Sequence, residues 1–295
     1  MIEKIKNIIA DEDIKMNEPL KDHTSYLIGG PADIYIYPKN KDQLIDLLKL
    51  LQEDTYPYFI LGKGSNILAA DKGFNGCIID LTKYFAEIKV NNNNMNIGAG
   101  ALLTTIAFTA IKNSLSGMEE LAGIPGTLGG ALLMNAGCYG NEIFKLVESV
   151  SFINSENEIE ELPIDELEFG YRTSSLKGNV IIEAKLRLVK SDPVKIRERT
   201  EVFLSKRRES QPLEFPSCGS VFKRPKGNFA GKLIEDAMLK ERKIGGAQIS
   251  KKHAGFILNK ENATANDVKE LIELIKNTVS EKFNVILEEE VIYLG

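Results

Sequence analysis

Hydrophobic residues in the N-terminal part of the chain follow two different periods. Short apolar runs at residues 32–37, 58–61 and 76–80 are bounded by turn-forming residues, which is typical of β-strands. Between the first two runs, residues 41–51 indicate a helix with a single leucine face, formed by Leu44, Leu47, Leu48 and Leu51. The pattern predicts a small α/β lobe at residues 1–85.

The middle of the chain is richer in strand signals. Apolar residues flank an asparagine turn at residues 91–94 and predict a hairpin of strands 88–90 and 95–97. The other predicted elements of this region are a helix at 103–112 and strands at 147–153, 158–162 and 180–189. We assign them to a second lobe, residues 86–195.

A third lobe is predicted at residues 196–295. Ser191, Asp192 and Pro193 form a helix-start signal for a charged helix that extends to about residue 209 and bridges the lobes. The elements predicted after Pro212 are a strand at 221–222, a helix at 229–238, strands near 248–249 and 255–258, a long helix opened by Thr264, and a final strand at 285–294.

Composition and charge argue against several classes of protein. The 295 residues are 43% hydrophobic and 27% charged with a net charge of -5, which argues against a nucleic-acid-binding surface. The first residues suggest an amphipathic helix and lack the apolar stretch of a signal peptide, so we expect a cytoplasmic protein without membrane insertion. Three cysteines without C-x-x-C spacing and two histidines favour neither a disulfide framework nor a metal site.

Two glycine-rich loops give the clearest indication of a bound ligand. The first glycine loop, residues 62–66, follows a predicted strand, and the second glycine loop, residues 123–130, leads into an apolar segment that ends at Asn135. Glycine allows positive φ and leaves room for a phosphate beside the backbone N–H groups. Either loop alone could be an ordinary turn, but together they favour a nucleotide or dinucleotide ligand. The candidate cofactor-binding residues are Gly62, Lys63, Gly64, Ser65, Asn66, Gly123, Ile124, Pro125, Gly126, Thr127, Gly129, Gly130 and Asn135.

Two common phosphate-binding folds do not fit these loops. The sequences that begin at Gly62 and at Gly98 lack the third glycine of the Rossmann G-x-G-x-x-G pattern. No glycine loop ends in the G-K-[ST] of a P-loop. The ligand is therefore held by another arrangement.

Six segments, taken together and in order, resemble the UDP-N-acetylenolpyruvoylglucosamine reductase family, in its shorter form. They are residues 23–33, 61–68, 122–137, 169–175, 217–225 and 288–291. The resemblance implies an α+β protein with a two-lobed FAD-binding domain of the vanillyl-alcohol-oxidase (PCMH) type at residues 1–85 and 86–195. Residues 196–295 would then form an α+β substrate-binding domain, whose last strand returns near Glu290 to the active site.

The resemblance also implies the cofactor and the reaction. The family uses FAD and NADPH to reduce UDP-N-acetylglucosamine enolpyruvate to UDP-N-acetylmuramate, a precursor of peptidoglycan. Covalent attachment of FAD is not expected, because His23 is the only histidine of the first two lobes and Cys77 and Cys138 lie outside the glycine loops. We expect a monomer.

Three catalytic residues follow from the resemblance. Ser220 would give a proton to the α-carbon, and Arg172 would hold the substrate carboxylate as negative charge builds on it. Glu290 would either pair with Arg172 or, if protonated, donate a hydrogen bond. Taken without the resemblance, residues 288–290 form a charged strand end in which Glu289 points away from its two neighbours.

The candidate substrate-binding residues are indicated less specifically by the sequence than the catalytic residues are. Tyr171, Lys223, Arg224, His253 and Arg208 are available for the UDP diphosphate and sugar, and each cation among them could equally be a solvated surface charge. Two other functions stay open on the residues alone. These are a different FAD-dependent oxidase or dehydrogenase of the same fold, and a nucleotide-binding module without catalysis.

Overall fold

The computed structural model describes all 295 residues. The α-helices are α1 (Ile2–Lys6), α2 (Lys41–Glu53), α3 (Leu103–Lys112), α4 (Leu128–Leu133), α5 (Pro193–Ser210), α6 (Ala230–Asp236) and α7 (Ala265–Phe283). Short 3-10 helices lie at Asp11–Asp13, Leu20–His23, Leu121–Gly123, Ile143–Lys145 and Ile164–Glu166.

The strands are short and numerous. They are β1 (Ile14–Pro19), β2 (Pro31–Ile36), β3 (Tyr58–Leu61), β4 (Ile67–Ala69), β5 (Phe74–Asp80), β6 (Ile88–Asn91), β7 (Asn94–Gly98), β8 (Leu115–Ser116), β9 (Gly137–Cys138), β10 (Asn141–Glu142), β11 (Val147–Ile153), β12 (Ile159–Pro163), β13 (Phe169–Gly170), β14 (Thr173–Ser174), β15 (Val180–Arg187), β16 (Val189–Lys190), β17 (Lys243–Ile244), β18 (Ala247–Ile249), β19 (Ile257–Asn259) and β20 (Ile292–Leu294).

These elements form two compact units, each built from separate stretches of chain. Unit 1 contains Met1–Met16, Ile34–Lys63 and Gly76–Arg207, and unit 2 contains Asn17–Asp33, Gly64–Asn75 and Arg208–Gly295. The functional division at residues 85 and 195 into two FAD-binding lobes and a substrate-binding domain stays a prediction.

Unit 1 is organised around a five-stranded sheet in the order β12-β11-β15-β7-β6, in which every neighbouring pair is antiparallel. A four-stranded sheet has the order β1-β2-β5-β3, with β3 and β5 parallel. Helices α2 and α3 bury their apolar faces in a hydrophobic core that extends from Ile5 to Leu188. The four leucines predicted to share a face of α2 are all buried, which confirms the helical spacing.

Unit 2 packs α6 and α7 with the antiparallel sheet β17-β18-β19. Its core includes Val268, Leu271, Ile272 and Ile275 of α7, which are fully buried. The N-terminus of α7 is satisfied by a capping box, in which Thr264 Oγ1 accepts from Asp267 N–H and the Asp267 carboxylate accepts from Thr264 N–H, both at 3.0 Å. Thr264 therefore opens α7, as the sequence predicts.

Two predicted strands of unit 2 are wrong in extent. Only residues 292–294 of the predicted strand 285–294 form a ladder, with β4. The predicted strand 221–222 is absent, and isolated bridges at Ser220 and Phe222 take its place. Glu290 N–H and Val291 N–H both point to the carbonyl of Val221, at 2.7 and 3.4 Å, so two successive donors share one acceptor and the ladder cannot continue. The strand predicted at 255–258 is shifted to Ile257–Asn259.

Candidate active site

Gly62 of the first glycine loop lies against Thr127 of the second glycine loop inside unit 1. A Cβ on Gly62 would lie 2.3 Å from Oγ1 of Thr127 and 3.3 Å from its Cγ2, so only glycine allows this approach. Thr127 is itself fixed as the N-cap of α4, where its hydroxyl accepts from Gly130 N–H. The structure thus brings together two loops that lie about sixty residues apart in the sequence.

Few backbone donors of the second glycine loop are left for a ligand. Leu128 N–H bonds to Ala101 O and Gly129 N–H to Ala99 O, both at 2.8 Å. The bridge between Leu102 and Thr127 is of the antiparallel kind whose hydrogen bonds are made by the flanking residues, so Thr127 N–H points away from its partner segment. The N–H groups of Gly126 and Thr127 donate no hydrogen bond within the protein and are the available donors.

The first glycine loop has several backbone N–H groups available for a ligand. The N–H groups of residues 62–66 donate no hydrogen bond within the protein, whereas the carbonyls of Gly64 and Asn66 accept from Ser25 N–H and Ile292 N–H. Gly64 has φ 63°, and a Cβ on it would lie 2.2 Å from the carbonyl oxygen of His23. At Gly62 and Gly64, therefore, the space of the missing Cβ is taken by the protein itself, and it is the free N–H groups that suit a phosphate.

Arg172 sits in the two-residue turn between β13 and β14. Its backbone has φ 58°, the left-handed region that costs a non-glycine residue free energy. The guanidinium donates to the carbonyls of Gly137, 3.2 Å from Nη2, and Asn135, 3.5 Å from Nη1, and lies 4.9 Å from the ring centroid of Tyr171. Arg172 is half-buried, and the exposed ring of Tyr171 covers part of its charge.

Asn135 is one of the few buried polar residues of unit 1. Its side-chain nitrogen donates to Gly170 O at 3.0 Å and to Glu142 Oε2 at 3.1 Å, but its Oδ1 is buried without a hydrogen-bond partner. An unpartnered buried acceptor is costly unless a donor reaches it. A ligand with an N–H or O–H group at this position would satisfy it.

Ser220 lies in the middle of unit 2, on a segment that is bonded on both sides. Val221 N–H bonds to Gly255 O and Lys223 N–H to Glu288 O, at 2.9 and 2.8 Å. The Ser220 hydroxyl makes a long hydrogen bond of 3.2 Å to Phe222 O, and Gly219 before it has φ 81° with open space where a Cβ would be. Ser220 is only half-buried, so its hydroxyl can turn toward a ligand.

Glu290 lies on the segment next to Ser220. Its N–H bonds to Val221 O at 2.7 Å, and its carbonyl accepts from the side chain of Asn66 at 2.8 Å. Residues 288–290 form no named strand, but Glu289 makes an antiparallel bridge with Phe222. Glu288 is exposed beside Lys223, whereas Glu289 is part-buried and paired with Lys276 at 2.8 Å.

The pKa of Glu289 is set by two opposing effects. Burial acts to raise it, but hydrogen bonds from Lys276 and Tyr293 outweigh burial and hold the pKa below its usual value.

The substrate-binding candidates of unit 2 have partners of their own. Lys223 lies 3.4 Å from Glu288, the Arg224 guanidinium stacks 4.6 Å from the ring centroid of Phe229, and the carbonyl of Arg208 accepts from Lys252. His253 packs edge-on against Phe256, and its Nδ1 accepts from Gly255 N–H at 3.1 Å. Burial lowers the pKa of His253, which favours the neutral ring. A Cβ on Gly255 would lie 3.0 Å from the His253 ring and 3.2 Å from Ser220 Oγ, which places both side chains around this glycine.

Comparison with known proteins identifies the family. Residues 211–294 match the family "UDP-N-acetylenolpyruvoylglucosamine reductase, C-terminal domain", and residues 32–162 match the family "FAD binding domain". The chain is 46% identical to the UDP-N-acetylenolpyruvoylglucosamine reductase of Clostridioides difficile, over 98% of this chain and 96% of that protein. It is 45% identical to the same enzyme of Clostridium kluyveri, over 99% and 96%. The chain belongs to the UDP-N-acetylenolpyruvoylglucosamine reductase family.

Solved structures confirm the predicted fold class. The UDP-N-acetylenolpyruvylglucosamine reductase of Thermus caldophilus superimposes with a TM-score of 0.82 at 33% identity, covering 96% of this chain and 98% of that one. Wild-type Phl p 4.0202, a glucose dehydrogenase, matches 65% of this chain and 44% of its own with a TM-score of 0.51 at 10% identity, which shows likeness of fold alone. The chain is thus an α+β reductase of this family with a vanillyl-alcohol-oxidase type FAD-binding domain.

FAD fits the residues of this chain. The free N–H groups of both glycine loops suit the pyrophosphate, which has only acceptors. The unpartnered Oδ1 of Asn135 suits an N–H or O–H group of the flavin or its ribityl chain. Cys77 is fully buried, and burial raises the pKa of the Cys138 thiol to about 11, so neither thiol is a reactive nucleophile. FAD is the cofactor of this protein.

Arg207, near the C-terminal end of α5, is a further candidate for cofactor binding that the sequence interpretation did not select. A Cβ on Gly123 would lie 2.8 Å from Cδ of Arg207, so the side chain passes directly over the second glycine loop. The half-buried guanidinium forms neither an ion pair nor a hydrogen bond within the protein. Burial lowers the pKa of Arg207, and no carboxylate pairs with the guanidinium to offset it. Helical spacing is the signal that could have found this residue, because Arg207 shares a face of α5 with the buried residues Ile196 and Thr200.

No helix of the protein has both the length and the apolar character needed to cross a membrane. No group of three or more His, Cys, Asp or Glu side chains is placed to hold a metal ion.

Proposed function

We propose that the chain reduces UDP-N-acetylglucosamine enolpyruvate to UDP-N-acetylmuramate with NADPH as the electron donor, for peptidoglycan precursor synthesis in the cytoplasm. FAD, held by the free N–H groups of the two glycine loops, would supply the hydride chemistry, which takes a hydride from NADPH and gives it to the β-carbon of the enolpyruvyl group. The carbon–carbon double bond is reduced when the α-carbon then takes up a proton. Substrate binding, charge stabilisation and the proton are left to the residues of the chain.

Ser220 supplies that proton. A serine hydroxyl is a weak acid, but the α-carbon becomes strongly basic once the β-carbon has received a hydride. The bond from Ser220 to Phe222 O is long at 3.2 Å, and the hydroxyl can exchange it for a bond toward substrate. The resulting alkoxide regains its proton from solvent in each turnover.

Arg172 stabilises the negative charge that develops on the substrate carboxylate. Its planar guanidinium suits a carboxylate in two-point contact, and two backbone carbonyls already fix its orientation. Glu290 either pairs with a cation or, when protonated, donates a hydrogen bond, and both alternatives remain part of the proposal. Lys223, Arg224, His253, Arg208 and Tyr171 are the proposed contacts of the UDP group and sugar.

The observation that best supports these roles is the pairing around residues 220–222. The segment with Ser220 is bridged to Phe256 on one side and to Glu289 on the other, and Glu290 N–H bonds to Val221 O. Two proposed catalytic residues, seventy positions apart in sequence, therefore lie on neighbouring segments of unit 2. A module that only binds a nucleotide has no need of this arrangement.

Ser220→Ala tests the proposal. We expect the variant to bind FAD and to be reduced by NADPH at the normal rate, but to lose turnover by roughly a hundredfold or more, because general acid catalysis contributes about that much. Ser217→Ala is the matched control, since the Ser217 carbonyl that bonds to Ser25 is retained. Turnover of Ser220→Ala close to that of Ser217→Ala would remove Ser220 from the mechanism.

A further inference from the structure

Asn135 contacts the guanidinium of Arg172 through its carbonyl and the turn before Arg172 through its side chain. The carbonyl of Asn135 accepts from the guanidinium at 3.5 Å, next to the Gly137 carbonyl that accepts at 3.2 Å. The amide of the same residue donates at 3.0 Å to the carbonyl of Gly170, two positions before Arg172. One residue therefore holds both the charged end of Arg172 and the turn that carries it.

The amide of Asn135 is itself oriented by Glu142. Glu142 lies on β10, which pairs with β9 so that Glu142 is opposite Gly137. Its Oε2 accepts from Asn135 Nδ2 at 3.1 Å, and a Cβ on Gly137 would lie 2.8 Å from Glu142 Cγ. Since a carboxylate can only accept, this contact assigns the nitrogen of the amide to Glu142 and Gly170 and leaves Oδ1 on the opposite side.

A simpler account gives Asn135 a role in ending α4 only. Its φ of 40° and the hydrogen bond from Ala136 N–H to Ala131 O, at 2.8 Å, form a left-handed helix end. Glycine serves that purpose as well as asparagine does. The two side-chain hydrogen bonds contribute nothing to the helix end, so a glycine at this position separates the two roles.

We propose that Asn135, held by Glu142, is a positioning residue for Arg172, and that it fixes the guanidinium where the carboxylate of the enolpyruvyl substrate is bound. The inference rests on the proposed role of Arg172 in the reduction. It extends the expected role of Asn135 in cofactor binding, because the amide nitrogen serves Arg172 while Oδ1 stays available to FAD.

The two half-reactions of the enzyme distinguish positioning of Arg172 from cofactor binding. For FAD-loaded Asn135→Gly, we expect flavin reduction by NADPH to change much less than flavin reoxidation, because only the single Oδ1 contact with FAD is lost in that half-reaction. We expect reoxidation by UDP-N-acetylglucosamine enolpyruvate to slow by about tenfold to a hundredfold, because small displacements of a catalytic group cost about that much. Glu142→Gln, which keeps an acceptor oxygen, should lose much less than Glu142→Ala. Asn92→Gly is the matched control, because it makes the same substitution at another residue with positive φ, 55°, in an exposed turn.

A double-variant cycle tests whether Asn135 acts through Arg172. If it does, Asn135→Gly adds little to the slow reoxidation of Arg172→Lys, since the positioned group is already impaired. Independent effects that multiply in the double variant would overturn the proposal. So would loss of FAD affinity in Asn135→Gly with normal reoxidation of the flavin that remains bound.

A crystal structure of FAD-loaded Asn135→Gly decides the point without any assay of activity. We expect the Arg172 guanidinium to leave the carbonyl of Gly137, and an unchanged guanidinium would overturn the positioning role. If the wild-type protein does not transfer electrons to the enolpyruvyl substrate at all, the proposed function fails, and the crystal structure still decides whether Asn135 holds Arg172.

Discussion

Arg172 and Asn135 both occupy the left-handed region of backbone conformation, with φ 58° and 40°. Such a conformation costs a non-glycine residue about 1 kcal/mol or more, and it persists where the surrounding structure requires it. At Arg172 the requirement comes from the tight turn between β13 and β14, and at Asn135 from the end of α4. The two strained residues hydrogen-bond to each other, which concentrates the cost at the candidate active site.

We predict that Arg207 contributes to FAD binding. We expect Arg207→Met to weaken FAD binding by about tenfold or more, because a charge-assisted hydrogen bond to a phosphate contributes that much and the guanidinium has no carboxylate partner within the protein. Calorimetric titration of the apoprotein with FAD measures the effect. Arg197→Met, an exposed change on the same helix, should leave the affinity unchanged.

An equal affinity for FAD in Arg207→Met and Arg197→Met would contradict this assignment. Helical spacing distinguishes Arg207 from Arg208, because Arg207 shares a face of α5 with the buried residues Ile196 and Thr200. The contact with Gly123 could not have come from sequence, since the two residues are more than eighty positions apart. By contrast, Ser220, Arg172 and Glu290 could be selected from sequence through resemblance, and their roles stay predictions.

Among the elements, helix α7 has two carboxylates that accept hydrogen bonds from its N-terminal backbone or cap. Asp267 accepts hydrogen bonds from the backbone of Thr264 and Gly246, and Asp71 accepts from Ala265 N–H and Asn266 N–H. The bond from Thr264 is the largest cause that lowers the pKa of Asp267 below its usual value, and the bonds from Gly246 and the Thr264 side chain add to it. Two carboxylates thus stabilise the positive end of the helix dipole.

Protonation of Asp267 should therefore weaken the protein. Because the folded-state pKa lies below the unfolded value, the stabilisation is present above the usual pKa of an aspartate and is lost as pH falls through the lowered folded value. We expect Asp267→Asn to lower the free energy of unfolding by roughly 1 kcal/mol at pH 7, and by progressively less below about pH 4. Denaturant unfolding of both proteins between pH 3 and pH 7 measures this. A difference that does not change with pH would exclude the carboxylate charge as the cause.

Long periodic elements could be predicted from sequence more closely than short ones. Helix α3 has the predicted bounds, and α2 extends only two residues beyond them, because the spacing of apolar residues that defines such helices is local. Two-residue strands such as β9 and β13 were not predicted, since so short a pair has no period and depends on its partner. The wrong extent of the final strand has the same origin, because the shared acceptor at Val221 lies far away in sequence.

At the scale of the whole molecule, each unit is assembled from distant stretches of chain. In unit 2, the side chain of Ser25 bonds to Ser217 O, that of Asn66 to Glu290 O, and that of Asp71 to the start of α7. These contacts span about two hundred residues, so no local pattern could predict them. The fold class was nevertheless predicted and confirmed, because the order of segments along the chain resembles that of the family.

The most direct test of the account is the visible absorbance spectrum of the purified protein under anaerobic conditions. It is recorded alone, after addition of NADPH, and again after addition of UDP-N-acetylglucosamine enolpyruvate. We predict an oxidised flavin band that bleaches with NADPH and returns with the sugar nucleotide. A band that bleaches and does not return would contradict the proposed substrate, and the absence of a flavin band after incubation with FAD would contradict the assignment of both glycine loops.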